Sequence, residues 1–247
     1  MDALTISAAS GLRARMESLE MLANNISNQA TAGFKTDREF YTLYRSAEAI
    51  DGDARSAAPT LPVIERQWTD FTQGVLTPTG NPLDLALSGS GFLTVQGPDG
   101  PLYTRNGQLH LAGDGSLQSQ EGYPVLDSSG SPVQIDVSRK VEFSAGGSIY
   151  QDGESAGDLG IVEFADRSIL RKVAGTYFEL GAAGLVPEQS STTKVVQGKL
   201  EGANFTPAEA AVKLVGVMRQ FEMLQKAIRL GSEMNRRAAE DVARVSA

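Results

Sequence analysis

Leu83-Asp-Leu-Ala-Leu-Ser-Gly-Ser-Gly-Phe-Leu-Thr-Val-Gln-Gly-Pro-Asp-Gly-Pro-Leu-Tyr-Thr-Arg-Asn-Gly107 holds three apolar runs, each closed by a turn signal. Leu83–Leu87 ends in Ser88-Gly-Ser-Gly91, Phe92–Gln96 in Gly97-Pro-Asp-Gly100, and Leu102–Arg105 in Asn106-Gly107. Runs of about five residues rich in β-formers, cut by Gly, Pro, Asn and Asp, read as strands, and Asn-Gly is a strong hairpin dipeptide. The pattern continues through Gln108–Leu111, Ser116–Gln118 and Tyr123–Leu126. A second set covers Val141–Phe143, Ser148–Tyr150, Leu159–Phe164, Leu170–Val173 and Tyr177–Leu180. Short strands at this spacing predict a turn-rich, sandwich- or barrel-like β module.

Glycine and charge mark the limits of that module. Of 26 glycines in the 247 residues, 21 lie between Gly74 and Gly202. Glycine serves tight turns and is costly inside helices, so the glycine-poor ends read as helical. Net charge is −8 overall, 22 basic against 30 acidic groups. Residues 1–50 carry five basic and six acidic groups, residues 205–247 seven and five, and residues 51–204 ten and nineteen. The acidity therefore belongs to the middle. The expected class is α+β, an all-β central module carried on paired N- and C-terminal coiled-coil helices. The expected divisions are 1–35 for the first helix, 36–72 for an extended linker, 73–204 for the β-rich domain and 205–247 for the second helix.

At the N-terminus Thr5, Ala9, Leu12, Met16, Leu19, Ala23 and Ile26 alternate steps of four and three. At the C-terminus Ala210, Leu214, Val217, Phe221, Leu224, Ile228, Gly231, Asn235, Ala238 and Val242 recur in the same way. A sustained 3.5-residue repeat winds helices around one another. Thr206-Pro-Ala-Glu209 is a start signal, with Thr206 as N-cap, Pro207 at N1 and Glu209 completing a capping box. The alternative is that both stripes face a globular core. Against it, the seams are narrow and broken by small residues, so each buries little area within one molecule. The first helix runs into Leu22-Ala-Asn-Asn-Ile-Ser-Asn-Gln-Ala-Thr-Ala-Gly-Phe-Lys35. The amides of Asn24, Asn25, Asn28 and Gln29 suit a crowded interface, Gly33 an αL helix terminus and Phe34 a packed exit.

Composition excludes much chemistry. There is no cysteine and one histidine, His110, so disulfides, thiol nucleophiles and His–His metal pairs are absent. No metal site and no cofactor is expected. Gly89-x-Gly91 lacks the third glycine and the following helix of a dinucleotide loop. Asp114-Gly115 and Asp152-Gly-Glu154 read as turn acids, and His110 as a strand residue. An acidic chain disfavours nucleic acid. No run approaches the ~18 apolar residues of a membrane span, so direct membrane insertion is not expected. The N-terminus shows no basic n-region with an apolar core, so no cleavable secretory signal is expected. The rival from another class is an acidic secreted β-domain enzyme or glycan-binding module; it lacks a visible pair of catalytic carboxylates, and the single Trp68 lies in the linker.

Three sets of residues resemble a known family. Leu22–Lys35 is similar to the N-terminal signature of bacterial flagellar basal-body rod and hook proteins. Thr79-Gly-Asn-Pro-Leu-Asp-Leu-Ala-Leu-Ser-Gly-Ser-Gly-Phe92, Tyr103-Thr-Arg-Asn-Gly107, Gly113–Leu117 and Gly122–Val125 resemble its central β region. Gly198-Lys-Leu-Glu-Gly-Ala-Asn204 and Arg219-Gln-Phe-Glu-Met223 with Lys226 resemble its C-terminal signature. The last is more like the proximal-rod form than the distal form, where Tyr is usual in place of Phe221. The resemblance implies a non-enzymatic axial subunit whose terminal helices build the inner rod and whose β module lies outside. It implies partners in other copies of itself, other rod proteins and the flagellar type III export apparatus. It also implies a place in the periplasmic rod of the basal body. The residues expected to pack in assembly are Leu12, Met16, Leu19, Ala23, Ile26, Leu214, Val217, Phe221, Leu224 and Ile228. The family-motif residues are Asn24, Asn25, Asn28, Gly33, Phe34 and Asn204.

Overall fold

The computed structural model describes residues 3–45, 60–181 and 187–245. Two helices, α1 (Ala3–Ser27) and α2 (Pro207–Val245), flank a multi-stranded β region, so the class is α+β. The chain divides into two compact units. The first comprises residues 1–26, 37–68 and 207–247, and the second residues 27–36 and 69–206.

In the first unit, β1 (Asp37–Arg45) and β2 (Thr60–Thr69) pair as a two-stranded sheet. Both strands fall within the span 36–72 that the sequence reads as an extended linker. Alternation in Phe40-Tyr-Thr-Leu-Tyr44 and Leu61-Pro-Val-Ile64 gives both strands β-branched or aromatic residues that favour pairing over free chain. The small-residue stretch from Asp51 lies outside the described residues as far as Pro59. The segment Ser27–Thr36 groups with the β region, not with the helix that precedes it.

The second unit is built on a six-stranded sheet. In spatial order it runs β13 (Leu170–Ala174), β14 (Tyr177–Leu180), β6 (Pro101–Thr104), β5 (Phe92–Gln96), β12 (Ile161–Glu163) and β15 (Glu188–Gln189). Side chains alternate across a strand, and here each face enters a different core. Leu93, Val95, Leu102, Ile161 and Tyr177 join an aliphatic cluster with Leu85, Leu87, Leu117 and Ile149. Their neighbours Phe92, Tyr103 and Phe178 join an aromatic cluster with Phe164 and Leu170. The register keeps the faces apart: Phe92 pairs Val162, Leu93 pairs Ile161 and Tyr103 pairs Phe178. Rings in the aromatic cluster meet edge-on, Tyr103 with Phe164 at 4.9 Å and Phe92 with Phe164 at 5.7 Å.

Smaller sheets complete the unit. These are β4 (Leu85–Ser88) with β16 (Lys194–Gln197), β3 (Leu76–Pro78) with β17 (Lys199–Glu201), and β7 (Leu109–Leu111) with β8 (Leu117–Ser119). The last is β9 (Val141–Phe143), β10 (Ser148–Gln151) and β11 (Glu154–Asp158). Asn106-Gly107 does not make the expected hairpin, because β6 pairs with β5 and β14 while β7 pairs with β8. The dipeptide instead lets two backbones meet: the Leu85 N–H donates to the Gly107 carbonyl at 2.9 Å, and a Cβ on Gly107 would lie 1.7 Å from the Leu85 oxygen. His110 sits half-buried on β7 opposite Gln118. Asp114, Asp127 and Asp136 each accept from the N–H and hydroxyl of the serine two residues on. Those bonds hold all three carboxyls below their ordinary pKa.

Candidate assembly site

Three of the signature segments, those that hold Lys35, Arg105 and Glu201, meet at one buried carboxylate. Glu201, at the end of β17, is fully buried, as is Lys35. Its Oε1 accepts from Lys35 Nζ at 2.5 Å and from the Gly74 N–H at 2.9 Å. Its Oε2 accepts from Arg105 Nε at 3.0 Å. Arg105 also donates to the carbonyls of Leu87, Gly89 and Gly91, clamping the turn between β4 and β5. Lys35 donates a second bond to the Thr72 carbonyl at 2.7 Å. Burial pushes the Lys35 and Arg105 pKa values down, and the Glu201 carboxylate partly restores both. With buried Asp70, the cluster balances two cations with two carboxylates.

The neighbouring motif residues brace this node. Gly33 has φ 69°, and its N–H donates to the Glu201 carbonyl at 2.7 Å. A Cβ at Gly33 would lie 2.3 Å from the Arg105 carbonyl carbon, so only glycine fits. Phe34 is buried beneath Lys172, whose Nζ lies 4.4 Å from the ring centroid. Asn204 accepts from the Thr36 N–H at 2.9 Å and donates to the Asp70 carbonyl at 2.7 Å and Thr72 Oγ1 at 3.1 Å. Asn28 accepts from Thr31 in the turn after α1. In the first unit, Asn25 exchanges bonds with the Asp37 backbone at 3.0 and 3.2 Å. Asn24 is exposed. Lys35, Arg105 and Glu201 went without a role in the sequence reading. Their one signal is a charged residue set within each glycine-rich signature.

The helices present the residues expected to pack. On α1 the buried residues are Ala8, Gly11, Ala14, Ser18, Leu22 and Asn25. This stripe is rotated by roughly 100° from the expected seam. Ala9 and Ala23 are exposed, Met16 is 51% exposed, and Leu12, Leu19 and Ile26 are half-buried. The Asn25 bonds to the Asp37 backbone fix that rotation, while the Ser18 hydroxyl is satisfied within the helix by donating to the Ala14 carbonyl at 3.0 Å. Small residues then allow close approach on the buried side. On α2 the expected seam is the more covered face, with Ala210 and Gly231 buried and Leu214, Val217, Phe221, Leu224 and Ile228 half-buried. Asn235 is exposed, and the side chains of Thr5, Ala238 and Val242 lie outside the described residues. Ser18, Leu22 and Asn25 of α1, Asp37 to Glu39 of β1, and Lys213, Gly216, Val217 and Gln220 of α2 all line a cavity of about 360 Å³. Among the described residues no group of three or more His, Asp or Glu is placed to hold a metal, and no helix is long and apolar enough to cross a membrane.

A model of the flagellar hook protein FlgE/F/G D1 domain matches residues 86–154, and one of the flagellar basal body rod FlgEFG protein C-terminal region matches residues 196–240. The chain is 30% identical to the flagellar basal-body rod protein FlgF of Caulobacter vibrioides over 99% of both chains. It is 32% identical to FlgG of Agrobacterium fabrum over 95% of this chain and 97% of that one. It is 29% identical to FlgF of Salmonella typhimurium over 96% and 97%. These matches set aside the enzyme reading, since they place the chain in a structural family. The chain belongs to the flagellar basal-body rod protein family, and it resembles the FlgF branch over nearly its whole length.

Proposed function

We propose that this rod-family subunit is an axial, torque-transmitting element of the proximal rod, joined to its neighbours through its terminal helices. Residues 1–35 and 205–247 would form the inner layer as coiled-coil helices, residues 36–72 a connecting segment, and the sandwich-like 73–204 module the outer layer. The observation that carries this reading is the apolar surface left open on the helices. Met16, Val212, Met218, Met223, Leu230 and Met234 are each at least half exposed. A stable monomer rarely leaves so long an apolar surface bare. Other copies, neighbouring rod proteins of the distal and proximal rod, and the export apparatus are the partners. Assembly occurs in the periplasmic part of the basal body after export. A distal-rod placement is the alternative, as full-length similarity to a FlgG protein keeps it in view. Cryo-EM of isolated basal bodies separates the two by the axial layer the subunit occupies.

The function is tested by Phe221→Asp. A carboxylate at a half-buried seam position should abolish swimming in motility agar while circular dichroism of the purified chain retains the β signal. A swimming variant would refute helix-mediated assembly.

A further inference from the structure

The chain crosses between its two units at 26/27, 36/37, 68/69 and 206/207. Inside the second unit, Thr36, Asp70 and Asn204 stand beside the last three of these crossings. The segments that hold them, 33–36, 70–74 and 201–204, are each bonded to the other two. Between the first and third, the Gly33 N–H donates to the Glu201 carbonyl at 2.7 Å and the Thr36 N–H to Asn204 Oδ1 at 2.9 Å. Between the first and second, the Asp70 N–H donates to the Thr36 carbonyl at 2.8 Å and Lys35 Nζ to the Thr72 carbonyl at 2.7 Å. Between the second and third, the Gly74 N–H donates to Glu201 Oε1 at 2.9 Å and Asn204 Nδ2 to the Asp70 carbonyl at 2.7 Å. Those two backbones pass so closely that a Cβ on Gly74 would lie 2.0 Å from the Gly202 oxygen. Lys35, Glu201 and Asn204 each reach both other segments with one side chain.

Resting on the proposed axial role, we infer that this three-way tie is the load-bearing joint of the subunit, with Lys35, Glu201 and Asn204 as its positioning residues. A strand that leaves a folded unit untied peels away one bond at a time under force. Here the departing strands close a triangle. Force entering along one of them is shared with the other two, and bonds loaded together withstand more than bonds broken in turn. The ties are also sheltered. The Lys35 and Glu201 side chains are 0% exposed, and salt screens buried pairs far less than surface ones. A satisfied buried polar network is rigid as well as stable. Force carried along α1 or α2 thus enters the β unit through fixed atoms and not through slack chain.

The absence of cysteine allows handles to be placed at will. The full-length chain carrying Ala30→Cys and Ala208→Cys, both exposed positions, is pulled in optical tweezers so that force acts across the tie, and the first rupture is read. Adding Asn204→Ala should lower that first rupture force about twofold, since three bonds of the network go at once. Adding Val95→Ala instead, which leaves a void in the aliphatic core and does not touch the tie, should lower Tm and leave the first rupture unchanged. A first rupture unmoved by Asn204→Ala, or lowered equally by Val95→Ala, would overturn the joint. The handled parent chain gives an independent reading: its first rupture should be the same in low and high salt, and a force that falls with salt would also overturn the joint. Pulling is done on single chains, so either failure leaves helix-mediated assembly standing. A swimming Phe221→Asp variant overturns that assembly without moving the rupture force.

Discussion

Replacing Glu201 by Gln tests the buried node directly. The side chain keeps its volume, but the carboxylate that serves Lys35 at 2.5 Å and Arg105 at 3.0 Å loses its charge. Lys35 is fully buried and Arg105 nearly so, which makes water unable to replace the lost partner. Removing one member of a buried ion pair costs about 3–5 kcal/mol. At ~2–4 °C per kcal/mol for a chain of this size, Tm should fall by roughly 6–20 °C. Lys35→Met should cost less, since Glu201 keeps Arg105 and the Gly74 N–H as partners. The pH dependence adds a second signature. With Glu201 neutral, the Lys35 pKa in the folded chain drops further below its ordinary value, so the unfolded chain binds the extra proton. Stability of the Glu201→Gln variant should then rise with pH above neutrality. Thermal unfolding followed by near-ultraviolet circular dichroism from pH 6 to 9 reads all three effects. A Glu201→Gln chain melting within about 2 °C of the parent, or a Lys35→Met chain melting lower than Glu201→Gln, would refute the reasoning.

The other expectations concern separate parts of the chain. Glu163 accepts from Ser190, Thr192 and Thr193, which lowers its carboxyl from 4.5 to about 2. Its folded pKa lies below its unfolded one, so its contribution is present above 4.5 and lost as pH falls toward 2. Glu163→Gln should flatten the acid-unfolding curve in that window, and an unchanged slope would count against the cradle. Gly33→Ala forces a left-handed backbone and a Cβ onto the Arg105 backbone; a loss of about 2–5 kcal/mol in urea titration is expected, and a neutral effect would contradict it. Amide exchange in a dilute monomer should be fast along α2 beyond Gly231, where Ser232 to Arg237 are exposed, and slow in β5 and β6; full protection of both helices would argue against order gained on assembly.

The strands were legible because their signal is local. Phe92–Gln96, Val141–Phe143 and Tyr177–Leu180 emerge with the bounds read from turn residues and apolar alternation. The start of α2 at Pro207 was legible for the same reason. Asn106-Gly107 misled because a dipeptide specifies a turn but not what the strands beyond it pair with, and both strands had better partners elsewhere. The α1 repeat was present, but which stripe turns inward depended on Asn25 bonding to Asp37, beyond the reach of periodicity. The node was least legible. A lone Lys, Arg or Glu in a glycine-rich segment reads as solvated surface, and nothing near Lys35 points to a partner at position 201.

That pairing carries a kinetic consequence. Lys35 and Glu201 are 166 residues apart, and Arg105 and Glu201 are 96 apart. Closing loops of such length is entropically slow, and proteins dominated by distant contacts fold orders of magnitude more slowly than helical ones. A growing chain cannot neutralise its two buried cations until four-fifths of it has been made. The β unit is thus timed from its far end: its buried node cannot close until the strand that carries Glu201 has been made.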